Sequence, residues 1–441
     1  MTYSNGSSQR HYFTGTEAVF GQAQPPVGSG AARLKTALVA RRTQNHELRD
    51  DYRPGTRDSL EDVALDVSVL LSCSAYLMGG GTQGQAPDFS PIYKTAFVEN
   101  ALAAGTVAAS PTPTTESFKL ASGSLEPGEI AKLGDRMFVV TAKDDEDVLS
   151  IFPALPQVPV AGDLIGAAVN YNLTHGTPDP ITCYRSDNVS GEIITGAKFS
   201  KFTFGFKQGG LCTVDAEGQG RELIRLLHTT LNGDINDVID TVAVSHGGIE
   251  SGAVLSCESE LLLVTAVDAT GKELVVVRGA FGSTAAAHLS GTAIGPYEPE
   301  EATSGAPIPG LFGGIWIDGE TISAEEATVA VDEKTLYGSA YGDGGLASFV
   351  ANPEKREVTL SITAYLNETA LDKARAASKN MPVPVFLQGG KSNGRCCAVY
   401  LPKVLLDLEE IPDAKGELTK VTFVSRAVLA ENGEDSFALA F

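Results

Sequence analysis

The chain has 441 residues, enough for roughly two to four domains with cores of their own. It carries 55 acidic against 33 basic residues, a formal net charge of −22, and such a surface repels nucleic-acid phosphates rather than gripping them. Its 47 glycines and the scarcity of long helical patterns point to a mainly β protein.

Residues 1–31 are polar and rich in Gly, Ser, Gln and Pro. They read as an arm whose aromatics, Tyr3, Tyr12, Phe13 and Phe20, dock on a neighbour. Residues 33–46 read as a strand and 62–77 as its return, separated by a charged loop with a Pro54-Gly55 turn. In the return, Val69, Leu71, Cys73, Ala75 and Leu77 alternate onto one face. A helix is expected from Ile92 to Ala103, stopped by Gly105. A Pro/Thr/Ser linker follows, then a small β module at 116–169 with strands MFVVTA and VLSIF on either side of the turn KDDED. Pro153, Pro156 and Pro159 confine the next stretch to loop or edge. Residues 193–207 predict a strand with Phe202, Phe204 and Phe206 on one face. Leu223, Ile224, Leu227 and Leu231 predict a linker helix within 219–237. A second small module at 238–298 repeats the first, since LLLVTAVDATGKELVVV parallels MFVVTAKDDEDVLSI.

After a linker at 296–310, the pattern of the first half returns. EEATVAVDEK (325–334) goes out, a long loop intervenes, and 357–366 comes back with Val358, Leu360, Ile362, Ala364 and Leu366 on one face. Ala364-Tyr365-Leu366 matches Ala75-Tyr76-Leu77. Asn367 caps a helix that Met381-Pro382-Val383-Pro384 ends. Residues 384–388 predict a strand, CCAVYLPKVLLDLEEI a long strand pair, and KVTFVSRAVLAE and DSFALAF the closing strands, with Phe441 packed. The chain therefore reads as two tandem β-sandwich or barrel-forming domains, each with a short α-helix, plus two small inserted β modules. The first domain takes 32–115 with 170–218, and the second 299–441.

Both hairpins carry loops far longer than a hairpin needs, 47–61 and 335–356. Such loops read as contact arms to another subunit. Arg49, Asp50, Asp51, Arg53 and Arg57 supply a mixed-charge patch on the first, and Tyr337, Tyr341, Asp343 and Phe349 aromatic and acidic contacts on the second. No catalytic set is found. The six histidines lie apart in sequence, and neither a metal-ligand pair nor a nucleophile elbow is present. The six cysteines read as free buried thiols. The chain is therefore expected to be no enzyme, to hold no cofactor or metal, to lack a signal peptide and membrane span, and to be made in a cytoplasm.

The order of these elements resembles the major tail tube proteins of long-tailed bacteriophages. The carriers are RTQNHELRDDYRPGTRDSLEDVALDVSVLLS, LIGAAVNYNLTHG with ITGAKFSKFTFGF, REVTLSITAYL, VPVFLQGG, AVYLPKVLLDLEEIP and LTKVTFVSRAVL. The second module resembles a decorative β module of phage virion proteins. The resemblance implies a virion structural protein, assembled in the host bacterial cytoplasm, that self-associates into rings stacked as a tail tube. Tail terminator, baseplate and tape-measure proteins are its implied partners, and genomic DNA passes through the bore unbound at ejection. A duplicated domain implies three chains per ring rather than six. Two alternatives are a distal-tail or baseplate adaptor of the same fold and a carbohydrate-binding adhesive β-protein using Trp316, Tyr337 and Tyr341.

Overall fold

A computed structural model describes residues 9–47, 63–173, 176, 178–187, 189–370, 372–373, 381–408, 419–429 and 435–441. The fold is mainly β, as the alternation predicts, with two small β modules set into a larger architecture. The charged loop at 47–61, with Arg49, Asp50, Asp51, Arg53 and Arg57, lies outside the described residues apart from Glu47.

The centre of the molecule is an antiparallel sheet that runs through both halves. Its order is Leu34–Glu47, Val63–Tyr76, Thr213–Gly220, Ser190–Lys207, Ala324–Asp332, Glu357–Tyr365, Lys420–Leu429 and Arg395–Leu408. The first four strands come from one half and the last four from the other. Ser190–Lys207 and Ala324–Asp332 join them, from Lys201 opposite Asp332 to Lys207 opposite Glu326. The inward residues of all eight strands, among them Phe202, Phe204, Val329, Leu360, Val69 and Phe423, belong to one continuous core. Tyr93 and Phe97 pack into it with their rings tilted against those of Phe202 and Phe204.

The two halves repeat one plan. In each, an outer strand (Arg10–Thr16 or Gly314–Ile317) pairs with a second (Ile181–Ser186 or Val383–Ser392), which pairs in turn with the long strand. Tyr12 opposite Tyr184 matches Trp316 opposite Phe386. Each long strand leaves this outer sheet to join the central one. Ser190–Lys207 does so at Gly196, whose φ of 60° suits a residue without Cβ. Arg395–Leu408 does so around Pro402, where the ladder with Val383–Ser392 shifts and a missing amide is tolerated. The expected strand pair at 396–411 is thus one bent strand as far as Leu408.

The modules repeat as well. The first is a closed six-stranded barrel, Leu164–Gly166, Gly105–Val107, Ser117–Ser122, Val148–Phe152, Arg136–Lys143 and Ile130–Leu133 in order. It begins earlier than expected, inside the stretch read as a linker. The second, between Thr229 and Pro296, carries six corresponding strands with five of the six pairings, and the closing one is reduced to a single bridge, Leu231 opposite Val244. Ile130 opposite Val139 corresponds to Val254 opposite Leu263. The bulge between Val140 and Ala142 recurs between Val264 and Ala266. At its centre Thr141 Oγ1 donates to Ser150 O (3.2 Å) and Thr265 Oγ1 to Val275 O (3.1 Å). The first module packs Ile130, Met137 and Val139 on Phe386 and Tyr400, and the second packs on Tyr12, Tyr184 and Ile193.

Three expectations are corrected. The helix expected from Ile92 to Ala103 is a single turn, Ser90–Tyr93, followed by the strand Phe97–Leu102. A ladder with Ala168–Leu173 decides the matter, because burial on a sheet outweighs helix propensity. The linker helix at 219–237 is instead the strand Glu222–Leu227 paired with Ser190–Lys207. Leu223 faces the central core while Ile224 and Leu226 face the second module, so both faces are apolar and the pattern imitates a helix. The arm at 1–31 is, from Arg10 on, part of the fold. Arg10–Thr16 is a strand, and Tyr12 and Phe13 are fully buried. Residues 1–8 lie outside the described residues. The helix after Asn367 is helical at 368–370 and 372–373, with the Ala370 amide donating to Asn367 Oδ1 at 2.8 Å. Its remaining residues to Asn380, Leu371 included, lie outside the described residues.

Candidate functional site: open sheet edges and the 333–356 loop

The central sheet is not closed on itself. Leu34–Glu47 pairs with Val63–Tyr76 on one side only, and among the described residues nothing pairs with its other side. Thirteen of its fourteen residues are exposed or half-buried, and Leu38 alone is buried. At the far end, Arg395–Leu408 pairs with Lys420–Leu429, and beyond Val404 its other side has no partner among the described residues. Open edges template pairing with another chain.

The seam inside the chain shows what would fit there. Ser190–Lys207 is the structural counterpart of Arg395–Leu408, and Ala324–Asp332 that of Leu34–Glu47. Their junction is made of the same kinds of strand that lie open at the two ends. The edges differ in charge. Arg41 and Arg42 are exposed on one, with no ion pair to any described residue, and Asp407 is exposed on the other.

The outward face of the central sheet is dominated by hydroxyls and carboxylates. It presents Ser72, Ser74, Thr203, Thr328, Thr359 and Thr422, with Asp215, Glu217, Glu326, Asp332 and Glu357. Lys201 and Lys207 are already engaged there by Glu217 (3.3 Å) and Glu326 (3.6 Å).

The second loop, 335–356, forms a small hairpin of Leu336–Gly338 with Phe349–Ala351. Its base is fastened to the rest of the chain. The Tyr337 hydroxyl lies 2.8 Å from Gly196 O and 2.9 Å from Gln219 O. Arg221 Nε donates to Ala347 O, and the Val67 amide to Gly345 O. The tip points away. Tyr341 is fully exposed and Phe349 half exposed, while Asp343 organises the turn by accepting from the Ala340 amide at 2.8 Å. That bond is the first cause of the lowered Asp343 pKa.

Under the loop lies a polar cluster that sequence reasoning missed. Lys198 is fully buried and its Nζ lies 3.0 Å from Asn352 Oδ1. Thr335 Oγ1 donates to the same oxygen at 3.0 Å. Asn352 Nδ2 reaches Glu333 Oε2 at 3.4 Å, and Arg356 holds Glu333 through Nε–Oε1 at 2.8 Å. Burial draws the Lys198 pKa down to about 8 against the pull of Glu333, and burial pushes the Glu333 carboxyl up despite Arg356 and Lys198. A lysine inside a period-two strand is the only trace of this in the sequence, at a position where apolar residues are the rule.

A second buried network sits in the second module. Glu260, with no exposed surface, accepts from Arg278 Nε (2.7 Å) and Nη2 (2.8 Å) and from the Gly279 and Ala286 amides (2.9 and 3.1 Å). His288 Nε2 lies 2.8 Å from it. Burial alone would raise the carboxyl, but these donors hold it at about 2. The network closes the 278–288 loop over the module.

Among the described residues no group of His, Cys, Asp and Glu is placed to hold a metal ion. No helix of the described residues is long and apolar enough to cross a membrane. All six cysteines are free and buried. Trp316 is 7% exposed and covered by the Arg136 guanidinium at 4.1 Å, so it does not form a platform with Tyr341. Comparison with known proteins finds no family model that matches this chain and no curated protein similar to it.

Proposed function

We propose that this chain is a structural subunit that polymerises through its sheet edges into stacked rings forming the tail tube of a long-tailed phage. The observation that supports this is the internal seam together with its two open counterparts. One chain supplies eight adjacent strands of a wall in two repeated sets of four, and each end offers the partner the other lacks. Carrying the internal register across, Asp407 of one copy falls opposite Thr43 of the next, and Leu408 opposite Arg42. Such edge pairing removes a hazard that an isolated protein of this kind would face in solution. Three chains then provide the six repeated sets of a ring, and the hydroxyl- and carboxylate-rich face lines the bore. DNA phosphates meet little unpaired positive charge there, which suits passage rather than capture. In this reading the exposed tip at Tyr341 contacts the next ring.

Electron microscopy of the purified protein, with native mass measurement, tests the reading. Rings of three chains that stack into tubes are expected. A protein that stays monomeric at high concentration would overturn the proposal. Six full chains per ring would overturn the stoichiometry, and single rings that never stack would favour an adaptor at the end of a tail.

A further inference from the structure

We propose that Lys198 and Asn352 become joined by an intramolecular isopeptide bond that the folded chain makes unaided. The nucleophile already touches the electrophile, and a buried carboxyl touches the nitrogen that must leave. The nucleophile is the Lys198 amine, fully buried on the strand Ser190–Lys207 and touching the Asn352 carboxamide oxygen at 3.0 Å. The electrophile is the Asn352 side chain, whose oxygen also takes a hydrogen bond from Thr335 Oγ1 at 3.0 Å. The proton carrier is Glu333, 2% exposed at its side chain and 3.4 Å from the nitrogen that must leave.

Each contact has a chemical consequence. Burial of an amine favours its neutral form, which is the nucleophilic one. Thr335 Oγ1, donating to Oδ1, polarises the carbonyl and holds the negative charge that develops on it when the amine turns to attack Cγ. A buried carboxyl at the leaving nitrogen, near enough to Lys198 for its charge to act on the amine, can take a proton from the amine as it moves in to attack and give one to the nitrogen that leaves. Arg356, 2.8 Å from Glu333 Oε1, fixes the carboxyl in place.

The balance is simple. Lys198 Nζ bonds to Asn352 Cγ, the Cγ–Nδ2 bond breaks, and one proton passes from Nζ to Nδ2 by way of Glu333. Ammonia leaves, nothing is oxidised or reduced, and no co-reactant is consumed. The product ties the first half of the chain to the loop of the second, across the internal seam.

A second lysine–asparagine contact serves as an internal control. Lys132 is also buried and its Nζ meets Asn393 Oδ1, but Asn393 is exposed and Lys132 also donates to Gly134 O. No carboxylate touches that pair among the described residues. The same chemistry is not assigned there.

Intact mass measurement under denaturing conditions, followed by tryptic mapping of the full-length protein, tests the assignment. The wild type is expected to weigh one ammonia less than its sequence, with the peptide holding Lys198 joined to the peptide holding Asn352. Lys198→Arg and Asn352→Ala should each retain the full mass. Glu333→Gln, shown to be folded by circular dichroism, should form the bond about 100-fold more slowly or worse. Folded wild-type protein that keeps its full mass after prolonged incubation would overturn the proposal, as would mass loss that persists in both Lys198→Arg and Asn352→Ala. Bond formation at the wild-type rate in Glu333→Gln would overturn the role given to Glu333.

Discussion

Glu260→Gln offers a quantitative test of the buried network in the second module. Burial alone would raise the Glu260 carboxyl, yet it sits at about 2, well below the ordinary 4.5, because Arg278, His288 and the Gly279 and Ala286 amides converge on it. A depression of roughly 2.5 pH units at about 1.4 kcal/mol each makes the ionised form worth about 3 kcal/mol to the folded module. The sign follows from the direction. The folded pKa lies below the unfolded one, so this contribution is fully present above about pH 4.5 and fades as pH falls towards 2. Removing one partner of a buried pair costs about 3–5 kcal/mol by independent reckoning, because Arg278 is left without its counter-charge. The assay is hydrogen exchange of the Gly279 and Ala286 amides in wild type and Glu260→Gln, measured across that range. Those amides report the module itself, whereas a global melt of a chain this size need not be two-state. The expected gap is about 3 kcal/mol of opening free energy at neutral pH, narrowing towards zero near pH 2. A gap below about 1 kcal/mol at neutral pH, typical of an exposed pair, would refute the reasoning.

Three further outcomes are expected. Tyr337→Phe should cost about 1 kcal/mol and speed exchange in the 336–351 hairpin while leaving the central strands protected; unchanged exchange there would show that the hydroxyl does not fasten the loop. Phe204→Ala, in the aromatic core, should destabilise the chain by about 3–5 kcal/mol in denaturant titration, and a loss under 1 kcal/mol would contradict its complete burial. Arg41→Glu combined with Arg42→Glu should leave the monomer folded by circular dichroism but abolish rings and tubes in micrographs, and tubes of normal abundance would remove the Leu34–Glu47 edge from the proposed interface.

The strands were legible in the sequence wherever one face is buried and the other wet. Val69–Ala75 and Val358–Ala364 are buried at every second residue, on the predicted face, and Ala327, Val329 and Val331 follow the same period. The pattern failed where both faces are covered. Glu222–Leu227 lies between the central core and the second module, so its apolar residues fall next to one another as on a helix. Phe97–Leu102 failed for another reason. Its alanines and glutamate favour a helix locally, and only the ladder to a strand some seventy residues on overrides them. The Lys198 cluster could not be read at all, because its members come from distant positions and a lone lysine or asparagine carries no motif. The loop 335–356 stands out by its length, but length does not reveal that Tyr337 turns inward while Tyr341 faces out.

The way the first barrel is attached has an engineering consequence. The chain enters it from Phe97–Leu102 and leaves it into Ala168–Leu173, and Leu102 and Ala168 face each other across a single rung of one ladder. Excising everything between them and bridging the gap with a tight turn should leave that rung intact. A foreign polypeptide with neighbouring ends could be spliced in at the same point, which makes it a natural socket for display.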